Sequence, residues 1–74
     1  MQTYRELLLE GRKTLEEAGI ADSTTDAWLL MEYITGMTRA SYFIRENEEM
    51  SREQAEKYRE MIRRRAQHIP LQHI

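Results

Sequence analysis

Four hydroxyl residues, Thr3, Ser23, Thr38 and Ser51, each head a segment whose apolar side chains recur every three or four positions. A Ser or Thr side chain accepts a hydrogen bond from a free backbone N–H at a helix start. A three-to-four repeat gathers apolar groups on one helical face. No segment alternates apolar and polar residues for long enough to make a strand. The predicted fold class is therefore all-α: a small bundle of four helices, with a short fifth turn at the C-terminal end.

Thr3 and Glu6 form a capping-box pattern, and Tyr4, Leu7, Leu8, Gly11, Leu15 and Ala18 make the stripe of a helix over 4–18, closed by Gly19. Gly11 in mid-helix costs about 1 kcal/mol against alanine, which close approach of another helix would explain. Ser23 is the expected cap of the second helix, with Asp26 near the positive end of its dipole. The stripe Ala27, Leu30, Met31 and Ile34 is widened by Trp28, Leu29 and Tyr33, as in a central helix, and Gly36 closes it. A short helix over 39–45 carries Ala40, Phe43 and Ile44. Glu46 to Glu49 read as a polar loop, with Glu48 and Glu49 simply solvated. Ser51 and Gln54 predict a second capping box, opening a helix over 52–67 with the stripe Ala55, Tyr58, Ile62, Ala66 and Ile69. Pro70 disfavours helical geometry at Ile69, so it ends that helix and can start a turn through Leu71, Gln72 and His73. Tyr4, Trp28, Tyr33, Phe43 and Tyr58 are expected in the core or at its edge.

Size scaling for 74 residues leaves roughly 4,800 Å² of accessible surface and buries roughly 63% of what the unfolded chain exposes. That suffices for one modest core, not for a core plus an enclosed active site. Cysteine is absent, which excludes disulfides and thiolate zinc sites. No run of about 18 apolar residues exists, and the opening Met-Gln-Thr-Tyr-Arg-Glu lacks an apolar signal core. A cytoplasmic protein is the simplest expectation. His68 and His73 are separated by Pro70 and share no helical face for a metal. The isolated glycines make no phosphate loop. No catalytic, cofactor-binding or metal-binding residue is predicted in the chain.

Charge is unevenly placed. Residues 1–50 hold five basic and ten acidic side chains, whereas residues 51–74 hold six basic and three acidic. A basic end on an acidic body suits directed docking to a protein, while the acidic body would repel a polyanion. Within the cluster Arg59, Arg63, Arg64 and Arg65, the expected partner contacts are Arg63 and Arg64, with His68 beside them. Arg65 is expected to extend its charged end from the core edge.

Three ordered segments carry a family resemblance. Asp26-Ala27-Trp28-Leu29-Leu30 opens the second helix, which runs to Ile34-Thr35-Gly36. Thr38-Arg39 begins the third. Arg63-Arg64-Arg65 precedes Pro70-Leu71-Gln72-His73-Ile74. In this order and spacing the chain resembles the N-terminal domain of the HemK/PrmC family, the protein-(glutamine-N5) methyltransferases of peptide chain release factors. Trp28 stands where that family usually has an acidic residue. The resemblance covers essentially the whole chain. It implies a substrate-binding and orienting helical domain, followed in the parent protein by a linker and a C-terminal S-adenosylmethionine-dependent catalytic domain. It also implies a release factor as protein partner and no methyl transfer by these residues alone. Pro70, Leu71, His73 and Ile74 then lead toward the linker and the catalytic domain, and the lack of a closing signal after Ile74 reads as a cut from a longer chain. Two other readings remain at this point. One is a helix-turn-helix-like nucleic-acid-binding module; the other is a free-standing helical protein-interaction scaffold.

Overall fold

A computed structural model describes residues 1–74, which form α1 (Tyr4–Glu17), α2 (Ser23–Thr35), α3 (Arg39–Arg45) and α4 (Arg52–Ala66), followed by one 3-10 turn at Leu71–His73. The expected all-α bundle with a short C-terminal turn is what the chain adopts. Its accessible surface is 4797 Å², the value that size scaling predicts.

Local chemistry explains most helix ends. At α1 the Glu6 N–H donates to Thr3 Oγ1 at 3.1 Å while the Thr3 N–H donates to Glu6 Oε1 at 2.8 Å. The bond from the Thr3 N–H to the ionised carboxylate, helped by the Thr3 hydroxyl, holds Glu6 below its ordinary pKa. At the other end the N–H groups of Gly19 and Ile20 return to the carbonyls of Glu16 and Leu15, with Gly19 at φ 79°. That is a Schellman closure, which glycine adopts without steric cost. Thr38 caps α3 through the Ser41 N–H at 3.1 Å, and Ser51 caps α4 through the Gln54 N–H at 3.2 Å.

Several local expectations need correction. The N-cap of α2 is Asp22, which makes no side-chain cap bond, and Ser23 is a buried first-turn residue. Only half of the predicted box at α4 forms, because the Gln54 amide points to Ile34 O at 3.5 Å instead of back to Ser51. Helix α4 ends at Ala66, before Pro70 can act. His68 takes φ 66°, and the N–H groups of His68 and Ile69 bond the carbonyls of Arg65 and Arg64. This is a second Schellman closure, built on a histidine. The 46–49 loop is pinned by its backbone. The carbonyls of Glu48 and Glu46 accept from the Tyr4 and Arg5 N–H groups, so the loop satisfies donors that α1 leaves free at its start. The Glu48 carboxylate is not simply solvated but pairs with Arg45 at 3.1 Å.

Helices α1, α2 and α4 pack against one another around Leu7, Leu15, Met31, Met50 and Tyr58, the most deeply buried large side chains. Gly11 lies where α4 crosses α1. A Cβ there would stand 2.6 Å from Tyr58 Oη and 2.9 Å from Ile62 Cδ1. Tyr58 spans the bundle, and its hydroxyl donates to Ala27 O on α2 at 3.0 Å. The expected core places for Tyr33 and Phe43 are not found: they are 72% and 62% exposed, and Ile44 is 83% exposed. In α3 the inward position belongs to Tyr42, whose ring meets Trp28 edge-on at a centroid distance of 5.4 Å. Positions 43 and 44 turn away from that contact. In α2 the buried stripe centres on Ala27, Leu30 and Met31, leaving Tyr33 on its flank.

Candidate functional site

The basic end of α4 divides its arginines among different tasks. Arg65 does not extend into solvent. Its Nε donates to Asp26 Oδ2 at 3.0 Å and its Nη1 donates to Ile69 O at 3.1 Å, with 21% of the Arg65 side chain and 8% of the Asp26 side chain exposed. This pair ties α4 to the first turn of α2 and consumes both charges. Arg59 bonds Glu10 of α1 at 3.2 Å, and Arg63 bonds Glu60 one turn back with its Nε at 3.1 Å. Arg64 is exposed and makes no ion pair. Arg59 and Arg63 border a groove of about 280 Å³ between α1 and α4, floored by Leu7, Gly11, Tyr58 and Ile62. Arg64 thus presents an unpaired charge at this end of the bundle, beside the exposed Arg63–Glu60 pair.

His68 has a structural task. The Ala18 carbonyl accepts from its Nε2 at 3.0 Å, so the end of α4 is fastened to the end of α1. Beyond it, Pro70 and His73 are exposed, whereas Leu71 and Ile74 lie half-buried against the core. With Leu29, Leu30 and Tyr33 of α2 they line an apolar groove of about 400 Å³. No three His, Asp or Glu side chains gather in a way that could hold a metal ion. No helix is long and apolar enough to cross a membrane.

A third feature escaped the sequence reading. Arg39 lies with its guanidinium carbon 4.5 Å from the Trp28 ring centroid, 5.2 Å from Phe43 and 5.7 Å from Tyr42. Tyr42 and Phe43 meet edge-on at 5.9 Å. The spacing 39, 42, 43 was the available signal, because residues three and four apart share a helix face. Burial, with Glu46 nearby, pushes the Tyr42 phenol above its usual pKa.

The family model described as the PrmC N-terminal domain matches residues 6–74. The chain belongs to that family. A release factor glutamine methyltransferase of Deinococcus radiodurans is 34% identical over 70 residues, covering 95% of this chain and 25% of the relative. A release factor glutamine methyltransferase of Agrobacterium fabrum is 31% identical over 67 residues, covering 90% of this chain and 23% of the relative. The chain therefore spans about a quarter of the length of these curated relatives. No solved structure matches it significantly.

Proposed function

We propose that this PrmC-type helical domain binds a peptide chain release factor and orients it for methylation of a glutamine by a catalytic domain following in the same protein. The observation that carries this reading is the family match over residues 6–74. The names of the relatives and the quarter of their length that the chain spans support it. On this reading the protein acts in the cytoplasm, where a release factor would be met. Gly11 lies in mid-helix, and Gly19 and Gly36 follow helix ends, so they build no loop to cradle a nucleotide-like cofactor. S-adenosylmethionine therefore does not fit these residues and is assigned to the catalytic domain.

The chain's own contribution is binding and orientation. A substrate held in one pose reacts in a nearly unimolecular step. Arg64 supplies unpaired positive charge at the end of α4 and Arg63 lies exposed beside it, paired with Glu60, with His68 setting where that end lies through Ala18. Leu71 and Ile74 lean on α2, while Pro70 and His73 stay free to meet the linker and the catalytic domain. Nucleic-acid binding is not favoured, because the chain carries a net charge of −2 and the outward side of α3 sets Arg39 among the apolar Ala40, Phe43 and Ile44.

The test is calorimetric titration of the chain with a purified bacterial release factor at low and high salt. Binding that weakens with salt is expected. Rim charges act on encounter rate and are screened. The double substitution Arg63→Glu and Arg64→Glu should weaken affinity by about 1–2 kcal/mol at low salt, roughly 5- to 30-fold. Unchanged affinity would remove these arginines from the contact, and absence of any binding would remove the release factor as partner.

A further inference from the structure

The exposed side of α3 combines features that are costly to leave in water. Phe43 is 62% and Ile44 83% exposed. Ala40 lies beside them and Trp28 is half-buried at their border. Scattered apolar residues are ordinary on a surface; a contiguous group spread over two helices marks an interaction face. Arg39 lies among these rings, its guanidinium stacked toward Trp28, Tyr42 and Phe43. No carboxylate lies within ion-pair distance of it, unlike Arg45, Arg59, Arg63 and Arg65. Aromatic contact fixes the plane of a guanidinium without neutralising it. The N–H donors at its edge remain to meet a carboxylate in bidentate geometry.

We infer that Trp28, Arg39, Phe43 and Ile44 form a docking surface for an acidic protein segment with a carboxylate beside an apolar side chain. Resting on the reading above, that segment is supplied by the release factor. Charge complementarity selects this occupant. A second copy of the chain, joined across a two-fold axis through this face, would bring one Arg39 against another. A nucleic-acid base would need a bare ring face, yet Arg39 covers Trp28. Trp, Tyr, Phe and Arg are the residue types that anchor protein interfaces. Here the rings and guanidinium are already packed together, so little side-chain freedom remains to be lost on binding. This face shares no residue with the groove between α1 and α4. It would supply close contact, where Arg63 and Arg64 supply longer-range charge.

The test is nuclear magnetic resonance on the isotope-labelled 74-residue chain, following the Trp28 indole and Arg39 Nε signals during titration with a release factor. Both signals are expected to shift or broaden. The variants Arg39→Glu and Phe43→Ser should each lose at least tenfold in affinity while keeping the wild-type circular dichroism. Arg39→Lys should recover little, because an ammonium cannot pair in bidentate fashion. Binding that leaves both signals and both variant affinities unchanged overturns this surface but not the release-factor reading. Absence of binding by the wild-type chain overturns both. Shifts at Trp28 on dilution of the chain alone, or on adding a single-stranded oligonucleotide, assign the face to another occupant and overturn the inference.

Discussion

At the residue scale, a missing methyl group permits the closest helix contact. Gly11 is legible in the sequence as a point of close approach, since a mid-helix glycine needs a reason. Its partners are not legible, because Tyr58 and Ile62 lie more than forty residues away in sequence. Gly11→Ala should gain about 1 kcal/mol in helix propensity and lose about 1–3 kcal/mol to overpacking. The balance is expected to be destabilising. The atom in the way is no freely moving chain end: Tyr58 Oη is held by Ala27 O, and the ring is 1% exposed. Urea unfolding of the variant is expected to show a lower midpoint with an unchanged slope; a higher midpoint would mean that Tyr58 can move aside. Asp26 and Arg65 teach the same limit. Each was readable as a helix-end charge, Asp26 near the positive end of α2 and Arg65 near the negative end of α4. That they form one buried pair depends on packing that spans 39 positions. Local caps were readable where the bond closes within three residues, as at Thr3, Thr38 and Ser51. The left-handed turn at His68 carries no glycine to announce it.

At the element scale, the long helices declare their inward faces and the short one does not. In α1 and α4 the repeat runs for several turns, and the buried residues follow it. In α3 only seven residues are available, with Tyr42, Phe43 and Ile44 adjacent. Hydrophobicity alone cannot choose among three consecutive apolar side chains, which point in three directions. The choice is made by Trp28 of α2, against which the Tyr42 ring packs. A sharp contrast in stability follows. Tyr42→Ala should cost about 3–5 kcal/mol, as for other large buried aromatics. Ile44→Ser should change stability by no more than about 0.5 kcal/mol. Chemical denaturation of the two variants measures the difference, and comparable losses would mean that α3 is rotated. The same rotation explains why the docking face was missed. Phe43 was expected in the core or at its edge, which left Arg39 without visible neighbours.

At the scale of the whole molecule, Tyr58 joins all three long helices. It starts on α4, passes Gly11 of α1 and bonds Ala27 of α2. Burial is the main cause, with Tyr42 and Glu10 adding, that pushes its pKa well above the ordinary value for a phenol. Below about pH 10, the phenol is protonated in both folded and unfolded chains and contributes no pH dependence. Above that value the unfolded chain releases the proton while the folded chain retains it. Stability should then fall by about 1.4 kcal/mol for each further pH unit, until the raised folded value is reached. By pH 11.5 the loss should be about 2 kcal/mol. That is a large share of the roughly 4–11 kcal/mol expected for a domain of this size. Tyr42, also shifted upward, acts in the same direction. Lysine and arginine titration is common to wild type and variant, so Tyr58→Phe isolates the phenol. At pH 7 this variant should lose about 1 kcal/mol with its hydrogen bond. From pH 10 to 11.5 it should lose about 2 kcal/mol less than wild type, so the two curves should meet and then cross. Urea titrations across that interval provide the measurement; curves that stay parallel would show that Tyr58 ionises equally in both states and is not the sealed joint of the bundle.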